Sequence, residues 1–169
     1  MELPVEQVLA EKDIGYKLIR LSESAYTVAD VMKFAAGEVR PEEVCKTIIL
    51  RGRKSGKLVA VLLRGGDKLN FSALKKFFGE EMAIASPEEV KEASGVEPGA
   101  VCPALLNTEL VVDRRVRELE TINCGSGHHL FGLEFKLADL AKLVEYKVAD
   151  LAKNSTASNT PAGDHHVLS

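Results

Sequence analysis

Two dense runs of β-branched and aliphatic residues, Val44-Cys45-Lys46-Thr47-Ile48-Ile49-Leu50 and Leu58-Val59-Ala60-Val61-Leu62-Leu63, constrain this chain more than any other feature. Runs of this kind are strands with little exposure to water. The segment between them, Arg51-Gly52-Arg53-Lys54-Ser55-Gly56-Lys57, is polar and glycine-containing, so the pair is predicted to form a hairpin. Lys46 leads straight into the first apolar run. A lysine there either snorkels to water or presents its ammonium inside a cleft, as a point charge for a phosphate or a carbonyl.

Around this hairpin the chain alternates irregularly between helix and strand patterns. Pro4 to Lys12 has helical spacing, and Tyr16 to Leu21 reads as a strand. Thr27 caps a helix ending near Gly37, and Asn70 caps one closed by Gly79. Met82 to Ala85 is a short strand, and Ser86-Pro87-Glu88-Glu89 is a capping box with proline at the first helical position. Glu97-Pro98-Gly99-Ala100 has the residues of a type II turn. Leu110 to Val112, Leu119 to Cys124 and Leu130 to Phe135 read as strands. The spacing of Leu137, Leu140, Ala141, Val144, Val148 and Leu151 predicts a final helix. No βα repeat is present, so the expected class is α/β in the mixed α+β sense: one domain over 1–153 around a curved mixed sheet with flanking helices. Residues 154–169 are polar, with little to bury, and are expected to be a disordered tail.

Composition narrows the classes. The three cysteines, Cys45, Cys102 and Cys124, are odd in number and widely spaced, which disfavours a disulfide scaffold and suggests a reducing, cytosolic setting. No apolar run approaches the ~20 residues of a membrane span, and Met1-Glu2-Leu3-Pro4 lacks the basic start of an export signal. The net charge of −3 argues against general affinity for nucleic acid. Yet Lys46, Arg51, Arg53, Lys54, Lys57, Arg64, Lys68, Lys75 and Lys76 fall in one stretch whose only acid is Asp67. Such a local basic face can bind phosphates selectively, or can be a solvated hairpin tip.

Candidate chemistry concentrates in two loops. Asn123-Cys124-Gly125-Ser126-Gly127-His128-His129-Leu130-Phe131-Gly132 joins two strand-like runs and combines backbone freedom with two imidazoles. Gly99-Ala100-Val101-Cys102-Pro103 is a glycine turn stiffened by proline, a loop able to offer N–H donors. A nucleophilic cysteine is disfavoured, because Cys45 and Cys124 occupy strand positions typical of small core residues. Cys102, Cys124, His128 and His129 fit no standard zinc spacing. No metal or other cofactor is expected. Gly125-Ser126-Gly127 precedes a strand rather than a helix, which excludes dinucleotide and P-loop fingerprints.

Taken in order, the Thr27 helix, Val44 to Leu50, Gly65-Gly66-Asp67-Lys68-Leu69-Asn70, Ser94 to Pro103, Val111-Val112-Asp113 and Gly125-Ser126-Gly127-His128 resemble the YbaK family. This is the prolyl-tRNA-synthetase-associated editing domain, found free-standing or inserted in the synthetase. The resemblance implies the YbaK-like fold and a trans-editing deacylase that hydrolyses the ester of a mischarged tRNA. The amino acid would be small, such as alanine, cysteine or serine, on a proline or related tRNA. It implies Lys46 as the residue tied to activity. It further implies that Gly99, Ala100, Val101, Cys102 and Pro103 hold the aminoacyl end, and that Gly125, Ser126, Gly127 and His128 line the same pocket. The implied partners are the acceptor end of the tRNA and a synthetase, with no membrane. The alternative is a non-catalytic module of the same fold that binds a tRNA end or a synthetase. The chain departs from the common pattern in carrying Ala104 after the proline and the pair His128-His129.

Overall fold

The computed structural model describes residues 2–154. The hairpin forms as predicted: β2 (Cys45–Gly52) pairs antiparallel with β3 (Leu58–Arg64), from Cys45 opposite Arg64 to Arg51 opposite Leu58. It anchors a five-stranded mixed sheet. β5 (Met82–Ile84) lies antiparallel to β2 on one side, while β6 (Leu110–Asp113) and β9 (Lys147–Ala149) follow β3 in parallel on the other. A second, antiparallel sheet holds β1 (Tyr16–Arg20), β8 (Phe131–Lys136) and β7 (Thr121–Gly125). The two sheets touch through a parallel bridge between Val44 and Asn123. β4 (Asp67–Leu69) and β10 (Ala152–Asn154) form a separate ribbon.

Strand β3 explains why the large sheet is covered on both faces. Its side chains alternate between two apolar clusters: Ala60 and Leu62 join the core beneath the second sheet, and Val61 and Leu63 join the opposite one. The first cluster is closed by Val5 and Leu9 of α1 (Pro4–Glu11), by Val90 and Ala93 of α4 (Pro87–Ser94), and by Ile122, Leu133 and Phe135 of the second sheet. The second is closed by Leu74 of α3 (Phe71–Phe78) and by Leu151 and Ala152. A small third cluster packs Ile19, Val39 and Val44 against Val28 and Val31 of α2 (Val28–Phe34).

The capping signals act as read. The Thr27 hydroxyl accepts the Asp30 N–H at 3.0 Å, and Asn70 Oδ1 accepts the Ala73 N–H at 3.2 Å. Ser86 and Glu89 complete their reciprocal box. At Gly79 and Gly95 the chain turns left-handed, ending α3 and α4.

The predicted C-terminal helix is the main correction. Helical backbone covers only a 3-10 turn at Leu137–Asp139 and α5 (Leu140–Leu143). The chain then extends into β9 and β10. The open edge of β6 competes with the helical pattern, and pairing wins: Val111, Val112 and Asp113 take Lys147, Val148 and Ala149 as partners. Asp113, fully buried, fixes the new path by accepting the N–H groups of Leu151 at 2.8 Å and Ala152 at 2.9 Å. Leu151 is therefore buried, as its apolar character requires, but from a strand connection rather than a helix. Asn154, assigned from sequence to the tail, pairs with Asp67; the rest of that expected tail, 155–169, lies outside the described residues.

Candidate active site

Between the two sheets lies a cavity of about 380 Å³, within the range of small-ligand sites. Its floor is an unpaired strip of β2. Even-numbered residues of β2 turn their peptide groups toward β3, as when Val44 O accepts the Gly65 N–H and the Gly52 N–H donates to Lys57 O. Odd-numbered residues face the other edge, where Ile49 O accepts the Ala85 N–H. Among the described residues, pairing on that edge is confined to the Val44–Asn123 bridge, the Ile49–Ala85 bond and the run Leu50–Gly52 with β5. The peptide groups of Thr47 thus open onto the cavity, which β2 lines from Val44 to Ile49.

Lys46 stands in this floor, half-buried, its ammonium donating to the Gly65 carbonyl at 3.0 Å. Among the described residues it has no carboxylate in ion-pair contact. The nearby Asp67, itself buried, is engaged by Arg64 at 2.7 Å. Burial therefore pulls the Lys46 pKa below its ordinary value; the Asp67 charge partly opposes this, and Lys68 adds to it.

The glycine-rich loop and the Gly99 loop meet as the sequence suggests, but their roles divide. Gly99, Val101, Gly125 and His128 line the cavity; Ala100, Cys102, Pro103, Ser126 and Gly127 stand behind it. Two of the expected N–H donors are already used. The Ala100 N–H closes the type II turn onto Glu97 O at 3.2 Å, and the Gly127 N–H donates to Ala100 O at 2.8 Å. Ser126 is fully buried. Its hydroxyl bonds the carbonyls of His128 and Phe131 and accepts the His128 N–H, so it braces the loop. Gly125 is required by packing. A Cβ there would overlap the Val101 carbonyl oxygen and sit 2.9 Å from the Ala100 carbonyl carbon. Gly99, at φ +94°, leaves room for the Tyr26 ring, which a Cβ would approach to 2.7 Å.

Both histidines line the cavity. Their rings stack at 5.1 Å, and His128 meets Phe131 edge-on at 5.4 Å. His128 is the more enclosed, its Nδ1 accepting the Leu130 N–H at 3.1 Å, which leaves Nε2 to carry the proton in the neutral ring. His129 is exposed.

The cysteines are buried and free. Burial pushes the thiols of Cys45 and Cys102 up to about 12 and raises the Cys124 thiol well above its ordinary value. None is a thiolate at neutral pH, so none is a ready nucleophile. Among the described residues no group of three or more histidine, cysteine or acidic side chains converges as a metal site, and no helix is long and apolar enough to cross a membrane.

The basic stretch is more neutralised than its sequence suggests. Arg51 pairs with Glu89 at 3.2 Å, Lys57 with Glu109 at 3.6 Å and Lys75 with Glu81 at 3.3 Å. Glu80 accepts the backbone N–H groups of Lys54 and Ser55 and ties down the hairpin tip. Arg53, Lys54 and Lys76 have no ion-pair partner among the described residues.

Residues 22–143, which contain the cavity floor and both loops, match the family model for the aminoacyl-tRNA editing domain. The chain belongs to this family. Solved structures share the fold. A hypothetical protein designated APE2540 is 28% identical, with a TM-score of 0.76 over 88% of this chain and 99% of that one. A proposed trans-editing enzyme for prolyl tRNA synthetase is 23% identical, with a TM-score of 0.75 over 88% and 94%. A proposed signal transduction protein from Marinobacter aquaeolei VT8 carries the fold within a longer chain, at 22% identity and TM-score 0.70, over 95% of this chain but 33% of its own.

Sequence reasoning assigned no role to Tyr26, nor individually to Thr47 and Asn123, all of which line the cavity of this editing domain. An amide inside the apolar run Thr121-Ile122-Asn123-Cys124 was the available signal, since asparagine is depleted in strands. Tyr26 carried none beyond its place before the helix cap.

Proposed function

We propose that this editing domain is a trans-acting deacylase that hydrolyses the ester linking a small amino acid to the 3′ end of a mischarged tRNA. The observation that carries this reading is Lys46: an ammonium without a carboxylate partner among the described residues, held on a backbone carbonyl at the floor of a mostly apolar cavity. A water oxygen attacks the ester carbonyl carbon, the bond to the ribose oxygen breaks, and the water proton passes to that oxygen. Free amino acid and deacylated tRNA result. An aminoacyl ester is already activated, so positioning and charge stabilisation suffice. Lys46 steadies the developing oxyanion or an adjacent phosphate, and the open N–H of Thr47 is a preorganised donor beside it. The ribose 2′-hydroxyl of the terminal adenosine helps orient the water. The glycine and proline loops hold the cavity walls stiff, so larger side chains are rejected by size, where one methylene alone would discriminate by only about 1–3 kcal/mol.

A panel of purified tRNAs carrying alanine, cysteine, serine and proline tests this directly. We expect rapid release of at least one small amino acid and slow release of proline. Stable binding of the charged tRNA with no release above the uncatalysed rate would favour a non-catalytic acceptor-end module instead.

A further inference from the structure

Lys46 pairs opposite Leu63 in the β2–β3 ladder, and β3 ends one residue later, at Arg64. There the chain makes a two-residue turn, Gly65-Gly66, into β4. The turn is held at both ends. The Gly65 N–H donates to Val44 O at 2.7 Å. Across the turn Arg64 grips Asp67, its Nε donating to Oδ2 at 2.7 Å and a terminal nitrogen donating to Oδ1 at 3.3 Å. β10 covers the far side, with Asn154 opposite Asp67. Gly65 is required by packing, since a Cβ there would approach Val28 Cγ2 to 2.5 Å and Val44 O to 3.1 Å. The carbonyl that carries the Lys46 ammonium is therefore fixed in place.

Asp67 is 4% exposed. Asparagine or serine would also suit a turn, and burying either costs far less than burying a carboxylate. The position thus keeps a charge as well as a hydrogen-bond acceptor. Arg64 takes one share of that charge from a more solvated place, with 26% of its side chain exposed. The other share acts on Lys46: among the carboxylates of the described residues, Asp67 most favours its charged form, against burial and Lys68. The neighbouring titratable groups supply no substitute. Cys45 is a buried thiol, and Lys153, opposite Lys68 on β10, is a further cation. His128 and His129, which line the cavity, bring no negative charge. Glu43 bears on Cys45, and Glu118 and Arg115 bear on Arg64.

We propose that Asp67 is a positioning residue of the deacylase: clamped by Arg64, it fixes the turn that carries the Lys46 ammonium and supplies the negative charge that keeps this ammonium protonated in an apolar cavity. This rests on the editing reading of the cavity and names a residue on which Lys46 depends.

Nuclear magnetic resonance of protein carrying isotope-labelled lysine follows each ammonium as it titrates, and the Lys46 signal is the one absent from Lys46→Met. In Asp67→Asn, Lys46 is expected to lose its proton at lower pH than in wild type, because the opposite charge is gone and the Arg64 guanidinium is left uncompensated. A turn that had merely loosened would admit water and move Lys46 the other way, toward the ordinary lysine value. Asp67→Ser, smaller and uncharged, should shift Lys46 in the same direction as Asp67→Asn. Deacylation should follow: on the alkaline limb both variants should be about three- to tenfold slower than wild type, the scale of losing one nearby opposite charge. A Lys46 midpoint unchanged or raised in the folded variants overturns the proposal. So does failure of both variants to fold, which would make Asp67 a structural residue alone. A wild-type protein that cleaves no ester refutes the deacylase reading, while the titration still decides whether Asp67 sets the charge of Lys46.

Discussion

Lys46→Ala is expected to lower the deacylation rate by about 100- to 1,000-fold, the usual loss when a preorganised charge or donor at a developing oxyanion is removed. The fold should survive. Lys46 gives the sheet its backbone, which alanine retains, and its ammonium makes no ion pair among the described residues. Lys46→Met is the sharper test of the charge, because it keeps the packing of the side-chain stem. Burial holds the folded-state pKa of Lys46 below the ordinary 10.5. The sign follows from that. Between the two values the unfolded chain binds the proton that the folded chain releases, so stability rises with pH through this window. Activity moves oppositely: the ammonium is present below the folded pKa and lost above it, so the rate should fall on the alkaline side before pH 10.5. Lys46→Met should abolish both the activity and this alkaline limb while melting no lower than wild type. A methionine variant with full activity would remove Lys46 from the chemistry.

Gly125→Ala carries the largest expected effect on stability. The added Cβ meets backbone, not side chain: the Val101 carbonyl oxygen, and the Ala100 carbonyl carbon and oxygen at 2.9 Å. Backbone cannot rotate away, so β7 and the Gly99 loop must separate. The cost should be about 3 kcal/mol, at the upper end of overpacking, or a fall of about 6–12 °C in melting temperature for a chain of this size. Separation would also strain the Gly127–Ala100 hydrogen bond and move one wall of the cavity, so KM should rise in the fraction that folds. Gly127→Ala is the control in the same loop. There a Cβ meets only Leu105 at 3.6 Å, and the strain comes from φ +93° alone, about 1–2 kcal/mol. Thermal denaturation that ranks the two variants in the reverse order would show that the contact with the 100–101 backbone is not what fixes the wall.

Much of the fold was legible because local rules and tertiary demands agree. The Val44–Leu63 hairpin, the caps at Thr27, Asn70 and Ser86 and the turn at Gly99 all follow from nearby residues. The C-terminal segment was not legible, because its helical spacing is real and loses to a strand edge and a buried carboxylate that are distant in sequence. The site divides similarly. Lys46 and the two glycine loops stand out as unusual residues in their own segments. Thr47 and Asn123 are ordinary in theirs and acquire meaning only where β2 and β7 converge. Two of the donors expected in the loops, the N–H groups of Ala100 and Gly127, are taken for the same reason: sequence reveals that a glycine loop can expose N–H groups, not that Glu97 and Ala100 already accept these two.

The unpaired strip of β2 has a consequence for how this protein avoids its own kind. A bare strand edge that carries Ile48 and Ile49 is a template for adding a strand from another molecule, the first step toward aggregation. Here the template is short, closed at one end by the Val44–Asn123 bridge and at the other by β5, and recessed beneath the loop walls. An extended peptide cannot lie along it without passing Tyr26 and the histidine loop. The stiffness that makes the cavity selective therefore also keeps the edge from recruiting a neighbour, and variants that loosen Gly99 or Gly125 put solubility and selectivity at risk together.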